Sequence, residues 1–141
     1  APDLPGMPTD ARVRLKDLRE LPLILPSPSH GLRALTDAAF ARQRITPRVQ
    51  AEVDGLSLLM DAVRAGLGAT IQPGAATARL PAGAVRSVLL ADALTARRNL
   101  LASLSEDELS PAALAARVVL ADVACALVRD GRWAGATLHK N

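Results

Sequence analysis

Aromatic side chains are almost missing from this 141-residue sequence, in which Phe40 and Trp133 are the only aromatic residues and tyrosine does not occur. Proteins that bind single-stranded nucleic acid by base stacking need several exposed rings. The sequence therefore excludes that class of binding. Half of the residues are nevertheless hydrophobic, mainly Ala, Leu and Val, so the chain can bury the core of one domain or slightly more.

Residues that hold metals or form disulfides are equally scarce. Cys125 is the single cysteine, so no internal disulfide can form, and its apolar neighbours predict an ordinary buried thiol in a reducing cytoplasm. His30 and His139 lie in different segments, without a cysteine or carboxylate at ligand spacing. We therefore expect no metal and no other cofactor.

Long apolar runs and export signals are also lacking. No uninterrupted apolar run reaches the roughly 18 to 20 residues that cross a bilayer. The longest candidate is interrupted by charged residues: Arg117, Asp122 and Arg129. The first ten residues lack the order of a signal peptide and are rich in proline, which predicts a linker over residues 1–12. These features predict a soluble protein without membrane contact.

Charge of one sign is not concentrated anywhere. The formal net charge is +3, but the arginines are scattered among Asp and Glu residues. This pattern is typical of a solvated surface, whereas a DNA-binding surface groups its basic residues on one face. The charge pattern therefore gives no indication that this chain contacts DNA itself.

The first clear structural pattern is a short apolar run closed by proline. Residues 21–26 read Leu-Pro-Leu-Ile-Leu-Pro, which is typical of a strand buried on both faces. A helix is predicted to begin at Gly31, with Ser29 as its N-cap and an exposed ion pair between Arg33 and Asp37. Its apolar face is predicted to contain Leu32, Leu35, Ala39 and Phe40.

The strand-then-helix pattern repeats along the chain. Residues 49–53 alternate as a strand does, and Asp54 is expected to cap a helix that ends at Gly66. The apolar residues of this helix share one face: Leu56, Leu59, Met60 and Val63. Further predicted elements are strands over 68–73 and 85–90 and a helical turn around 75–78. The alternation indicates an α/β fold with a mainly parallel sheet, in which ligands bind at the carboxyl ends of strands.

The last third of the chain has a different pattern. Residues 98–104 are predicted to form a strand, and Ser110 and Pro111 are favourable start signals for a long helix that ends near Asp130, before Gly131. This helix is apolar nearly all round, which predicts burial on more than one side. Because one or two strands cannot supply that cover, we expect it to pack on another chain or segment.

The turn Ser27-Pro28-Ser29-His30-Gly31 is the main candidate for ligand contacts. It leads from a buried strand into a helix, whose free backbone N–H groups and partial positive charge attract small anions and carboxylates. In the alternative interpretation, Ser29 only caps the helix. Gln72 is a second candidate, because it ends a predicted strand and offers both a donor and an acceptor.

Two patterns that suggest catalysis or nucleotide binding do not hold. Gly66-Leu67-Gly68 lacks a third glycine and connects a helix to a strand, the reverse of the order that places a phosphate on a helix N-terminus. Ser29 and His30 are adjacent at a helix start, so they point in different directions, and no Gly-x-Ser-x-Gly elbow surrounds the serine. We therefore do not expect an enzyme.

Three stretches together resemble the regulatory domain of LysR-type transcriptional regulators. The first runs from Leu15-Lys16-Asp17-Leu18 through residues 21–26 and is similar to the entry into the family's second regulatory subdomain. The second and most specific is Glu52-Val53-Asp54 followed by residues 59–73. The third comprises residues 109–113, the long helix and residues 131–136; it is similar to the branch related to nitrogen-assimilation regulators.

The resemblance implies an α/β fold like that of a type II periplasmic solute-binding protein. Residues 13–94 would form the second regulatory subdomain, and residues 95–141 the strand and long helix that return to the first, as a partial second lobe. The family's N-terminal winged helix-turn-helix, linker helix and the first half of lobe one would be absent. Residues matching the cleft side of the family's effector site are Ser27, Ser29, His30, Ile71, Gln72 and Pro73.

The resemblance also implies a function, namely sensing a small metabolite or anion in the cytoplasm as a dimer or larger homo-oligomer. DNA would be bound only through the missing head, and the effector stays open among a small anion, a carboxylate and an uncharged metabolite. A solute-binding domain of a transport system is an alternative, although the missing export signal argues against it. A small α/β enzyme is a third interpretation, but no group of residues in the sequence supports it.

Overall fold

The computed structural model describes residues 4–78, 80–92 and 95–139, and it divides into two compact units, residues 1–96 and 97–141. Parts of the predicted linker and of the predicted subdomain boundary at 94/95 lie outside the described residues. Among its described residues, unit one contains four strands and two α-helices: β1 (Arg12–Val13), β2 (Leu23–Leu25), α1 (Gly31–Arg42), β3 (Val49–Glu52), α2 (Leu56–Arg64) and β4 (Leu89–Leu90). Unit two contains α3 (Pro111–Arg129).

Strand β2 is at the centre of unit one. It pairs in parallel with β3, with Leu25 opposite Glu52. On its other side Leu23 forms a parallel bridge with Ala69, and the amide of Ile24 donates to the Ala69 carbonyl at 2.8 Å. The predicted parallel α/β arrangement is thus confirmed. The predicted strand over 68–73 is reduced to this one bridge, and the one over 85–90 to β4, which pairs in parallel with β1.

The side chains of β2 alternate between two hydrophobic clusters. Leu23 and Leu25 point into one cluster and are fully buried, and Ile24 points into the other. The first cluster also contains residues from several segments: Leu4, Leu15, Leu18, Leu21, Ala39 and Phe40. The second contains the inner face of α2: Leu59, Met60 and Val63. Strand β2 is therefore buried on both faces, as the apolar run predicted, and it separates the two hydrophobic clusters of unit one.

The inner faces of the two helices differ in detail from the sequence prediction. In α1 the buried residues are Thr36, Ala39 and Phe40, whereas Leu35 is exposed. Thr36 can be buried because its hydroxyl donates to the carbonyl of Leu32 at 2.9 Å, so no polar atom is left without a partner. In α2, Leu56 is also exposed. The predicted faces were correct toward the helix C-termini and wrong at residues near the N-terminal turns.

Gly68 is needed where the chain approaches β2 most closely. A Cβ atom at this position would lie 2.6 Å from the carbonyl oxygen of Pro22, closer than any real contact allows. The close approach lets Ala69 donate its amide to that same carbonyl at 2.8 Å. Gly66, two residues earlier, has a positive φ of 81° just after α2. The two glycines therefore serve a helix stop and a close packing contact, as the rejection of a nucleotide loop implied.

Unit two consists of an extended segment, a short turn and α3. The helix begins as predicted, since the Ser110 hydroxyl accepts from the amide of Ala113 at 3.2 Å, and it ends before Gly131, which has a φ of 68°. The predicted strand over 98–104 is wrong, because no described residue of unit two forms a strand that pairs with its backbone. Leu100 in this segment is 85% exposed.

None of the 19 residues of α3, all of which the structure describes, is buried. Val118, Val119 and Leu120 are each more than half exposed, and Cys125 is half-buried, contrary to the predicted buried thiol. By length and composition alone, α3 is long and apolar enough to cross a membrane. The prediction that no stretch of this chain is long and apolar enough to cross a membrane was therefore wrong.

Candidate functional site

The candidate site lies at the carboxyl edge of the parallel strands in unit one. Leu25 pairs with Glu52, and Ser27 and Asp54 each follow two residues later. Leu23 bridges to Ala69 on the other side, so Ile71 continues toward the same edge. Neighbouring parallel strands end on one side of a sheet. We call these strand ends the candidate edge: residues 27–30, Asp54 and residues 71–73.

Ser27 connects the end of β2 to Asp54 and to Ser29. Its backbone amide donates to the Asp54 carboxylate at 2.9 Å, and its hydroxyl lies 2.8 Å from that of Ser29. The Asp54 carboxylate therefore satisfies a donor that a ligand carboxylate would otherwise use. The side chain of Ser27 is half-buried and that of Ser29 is exposed, so a small molecule can reach the hydroxyl pair.

His30 is the N-cap of α1, and the prediction that Ser29 has this role was wrong. The imidazole Nδ1 of His30 accepts from the backbone amide of Leu32 at 3.2 Å. The Ser29 hydroxyl is turned to Ser27 instead, because α1 begins at Gly31 and the residue directly before it, His30, takes the N-cap position. Capping thus does not occupy Ser29, and the interpretation that it merely caps the helix does not hold.

Residues 71–73 form the other part of the candidate edge. Ile71 packs against the first hydrophobic cluster, and Pro73 precedes the helical turn Gly74–Thr77. This turn was predicted around residues 75–78. Gln72 is half-buried, and its amide nitrogen lies 3.4 Å from the Thr70 hydroxyl. Within the described part of unit one, no hydrogen bond joins residues 71–73 to residues 27–30; strand geometry alone places the two groups on one edge.

Asp54 and Arg33 are the functional candidates that the sequence reasoning did not identify. Asp54 was expected to cap α2, but the N-cap is Gly55 and the carboxylate turns to Ser27. A signal was available, because Asp54 follows β3 as Ser27 follows β2. Arg33 was expected in an exposed pair with Asp37; that pair is present at 2.9 Å, but the Arg33 side chain is only 12% exposed.

The electrostatics of the candidate edge are set by these two residues. The Ser27 amide and hydroxyl, together with the nearby His30, lower the pKa of Asp54, although desolvation acts in the opposite direction. Hydrogen bonds to Glu52 and then Asp37 raise the pKa of Arg33 above its usual value. Asp54 therefore carries a full negative charge at neutral pH, and the positive charge of Arg33 is committed to carboxylates of the protein.

The described residues contain no group of three or more His, Cys, Asp or Glu side chains arranged to hold a metal ion. The polar groups of the candidate edge are suited to recognition by hydrogen bonds. Two hydroxyls, one imidazole and one amide supply both donors and acceptors. Apolar contacts come from Ile71 and the adjacent prolines.

Comparison with known proteins decides the family. The family model described as LysR substrate binding domain matches residues 1–125, which include every residue of the candidate edge. The chain belongs to the LysR substrate-binding domain family. The fold of this family is like that of a periplasmic solute-binding protein, in agreement with the parallel strands and alternating helices of unit one. The resemblance recognised from three stretches of sequence is confirmed.

Two curated relatives carry the same printed name, nitrogen assimilation regulatory protein nac. The one from Escherichia coli (strain K12) is 30% identical over 133 residues, which cover 92% of this chain. The one from Klebsiella aerogenes is 31% identical over 78 residues, which cover 55% of this chain. The aligned parts span only 42% and 24% of the lengths of these relatives.

Proposed function

We propose that this chain is the effector-binding module of a bacterial LysR-type transcriptional regulator, and that its effector binds at the candidate edge. The observation that carries the proposal is the convergence of the strand ends: the ends of β2 and β3 are joined by the Ser27–Asp54 contact at 2.9 Å, and both lie within the matched LysR substrate-binding region. The contact residues are Ser27, Ser29, His30, Ile71, Gln72 and Pro73.

Binding rather than catalysis is the role we propose for this edge. The family match and the regulatory names of both relatives support it. An effector would stabilise one arrangement of the domain over another and thereby control how a full-length regulator, with its own DNA-binding head, engages DNA in the cytoplasm. The same match favours a regulator over a transport solute-binding domain.

The charge of the candidate edge favours an effector without a carboxylate or phosphate. The ionised Asp54 already accepts from the Ser27 amide, so an anion would have to displace it. The nearby Glu52 adds a second carboxylate. Arg33 pairs with Glu52 at 2.7 Å and with Asp37 at 2.9 Å, so its positive charge is already neutralised by carboxylates of the protein. A small uncharged metabolite with hydroxyl or amide groups meets no such repulsion.

Self-association through α3 completes the proposal. The helix exposes Val118, Val119 and Leu120, and an apolar surface of this kind is usually covered by another protein surface. Coverage by a second copy accounts for the exposed face without a membrane. The charged residues Arg117 and Asp122 within α3 also fit a protein interface better than a lipid one.

A ligand screen tests the effector site. A panel of small uncharged and anionic metabolites is added to the chain, and the unfolding temperature is measured, since a ligand that binds only the folded state raises it. Each metabolite that raises it is then tested on the variants Ser29→Ala and Gln72→Ala. We expect both variants to lose most of the shift.

Ser57→Ala is the matched control, because Ser57 is exposed on α2 outside the candidate edge. It should retain the shift seen in the unmodified chain. A metabolite whose shift survives both Ser29→Ala and Gln72→Ala binds elsewhere, and that result would refute the proposed location of the site.

A further inference from the structure

The guanidinium of Arg33 forms hydrogen bonds to several segments that lie next to the candidate edge. Arg33 lies near the start of α1, and its side chain is 12% exposed. Its Nη1 donates to the carbonyl oxygen of Pro26 at 2.9 Å and to the Glu52 carboxylate at 2.7 Å. Its Nε donates to the Asp37 carboxylate at 2.9 and 3.0 Å. One side chain thus contacts three different segments.

Two of these contacts, Pro26 and Glu52, lie close in sequence to residues of the candidate edge. Pro26 immediately precedes Ser27, the first residue of the loop 27–30, which we call the effector loop. Glu52 is the last residue of β3, two residues before Asp54. Asp37 is on α1 itself and holds the guanidinium in place from behind. Arg33 therefore joins the ends of β2 and β3 to the helix that follows the effector loop.

Within the effector loop the His30 amide donates to the Ser27 carbonyl at 3.0 Å, and the side-chain contacts of the loop are exposed. The hydroxyls of Ser27 and Ser29 bond to each other at the surface, and the Ser27 amide bonds to the exposed Asp54. The Ser27–Asp54 bond is also charge-assisted, but it lies at the surface, where water competes for it, whereas the Arg33 bonds to Pro26 and Asp37 are part-buried. Loop position thus depends more on Arg33 than on contacts within the loop.

We infer that Arg33 is a positioning residue for the effector loop, which it holds through the Pro26 carbonyl and Glu52 without contacting the effector. What the loop binds rests on the proposed function, but the positioning does not. Lysine cannot replace arginine in this role, because a single ammonium group lacks the planar fork that reaches Asp37, Glu52 and Pro26 together.

Amide hydrogen exchange in the ligand-free chain tests this inference. Arg33→Lys is compared with the unmodified chain, residue by residue, at neutral pH. We expect exchange of the Ser27 and His30 amides to become about tenfold faster, as expected when a charge-assisted hydrogen bond that holds the loop is lost. The amides of Ile24 and Ala69, which bond within the sheet, should change less than about twofold.

Arg64→Lys is the matched control. Arg64 pairs with Asp61 at 3.1 Å, on α2, and both side chains are well exposed. The same change of side chain at this surface pair should leave the effector loop unaffected. Glu52→Gln is a second test variant in case Arg33→Lys does not fold; it keeps an acceptor for Arg33 but loses the charge, so the expected change is smaller and in the same direction.

Two results would overturn the inference. One is unchanged exchange of Ser27 and His30 in Arg33→Lys, or in Glu52→Gln if only that variant folds. The other is equal acceleration of loop and sheet amides, which would give Arg33 a merely structural role. Because no ligand is present, failure of this test leaves the effector site standing, and failure of the ligand screen leaves the positioning role standing.

Discussion

Asp54 determines the charge of the candidate edge through its contact with Ser27. Its pKa is lowered, mainly by the hydrogen bond from the Ser27 amide, so the contact is fully present above the ordinary value of an aspartate and is lost as pH falls through the lowered value. At neutral pH the carboxylate is charged and the contact is complete. Acidification to below the ordinary aspartate range therefore weakens the connection between the ends of β2 and β3.

The amide of Ser27 reports this titration directly. We predict that its protection from hydrogen exchange falls as pH is lowered through the depressed pKa of Asp54, below the ordinary aspartate range, once the intrinsic pH dependence of exchange is removed. The Val53 amide bonds to the Leu25 carbonyl at 2.9 Å and serves as an internal control that should keep its protection. In Asp54→Asn the pH dependence at Ser27 should disappear. Persistence of the pH dependence in this variant would assign it to another group.

Gly68 gives a second prediction at the scale of one residue. Gly68→Ala places a Cβ atom 2.6 Å from the Pro22 carbonyl oxygen, so the backbone has to move and the Ala69 bridge to β2 is disturbed. We expect a loss of about 2 to 4 kcal/mol in the free energy of unfolding, measured by urea denaturation. Gly31→Ala is the control, because nothing lies within 4 Å of its Cβ position. That variant should be unchanged or more stable by about 0.5 kcal/mol.

Strand β2 shows what the sequence could predict at the scale of an element. Its continuous apolar run predicts burial on both faces, and this follows from composition alone. The pairing partners follow from long-range geometry, so the strands predicted over 68–73 and 85–90 came out too long. The N-caps predicted for α1 and α2 were each one residue too early in the sequence. The N-cap of α1 is His30 rather than Ser29, and that of α2 is Gly55 rather than Asp54.

Among the site residues, too, local sequence identified individual positions but not the contacts between distant segments. Ser27, Ser29, His30 and Gln72 were selected from strand ends and from family resemblance, and the structure places them on one edge of the sheet by strand geometry. Asp54 was named for another role. The contact between Arg33 and Glu52 joins residues 19 positions apart, and no local pattern predicts such a pair. Periodicity predicts which face of an element is buried, but it does not predict which polar groups meet across elements.

Helix α3 allows a test of capping in unit two. The Ser110 hydroxyl accepts from the Ala113 amide at 3.2 Å, and Pro111 follows at the first helical position. We predict that Ser110→Ala lowers helix stability by about 1 kcal/mol, seen as reduced ellipticity at 222 nm on heating. Ser110→Asp should retain the stability, because aspartate is an equally good N-cap. Equal losses in both variants would mean that the hydroxyl contact is not what stabilises the start of α3.

At the scale of the whole molecule, the exposed apolar surface of α3 predicts self-association. Light scattering coupled to size exclusion, at micromolar concentrations, should show a dimer or larger species. Leu120→Glu should shift it toward the monomer, because a charge would then be buried at the interface. Leu58→Glu, at an exposed leucine on α2, should not. A chain that is monomeric throughout, or that associates with lipid vesicles through α3, contradicts coverage by a second copy.

The candidate edge as the effector site is the central claim, and the most direct test follows the backbone amide resonances of the unmodified chain during titration with a metabolite found in the screen. We predict that the amides of Ser27, Ser29, His30, Asp54 and residues 71–72 shift together and saturate with a single dissociation constant. That result would show one ligand contacting the ends of three neighbouring strand segments. Shifts confined to residues outside this edge, with residues 27–30 and 71–72 unchanged, would contradict the account.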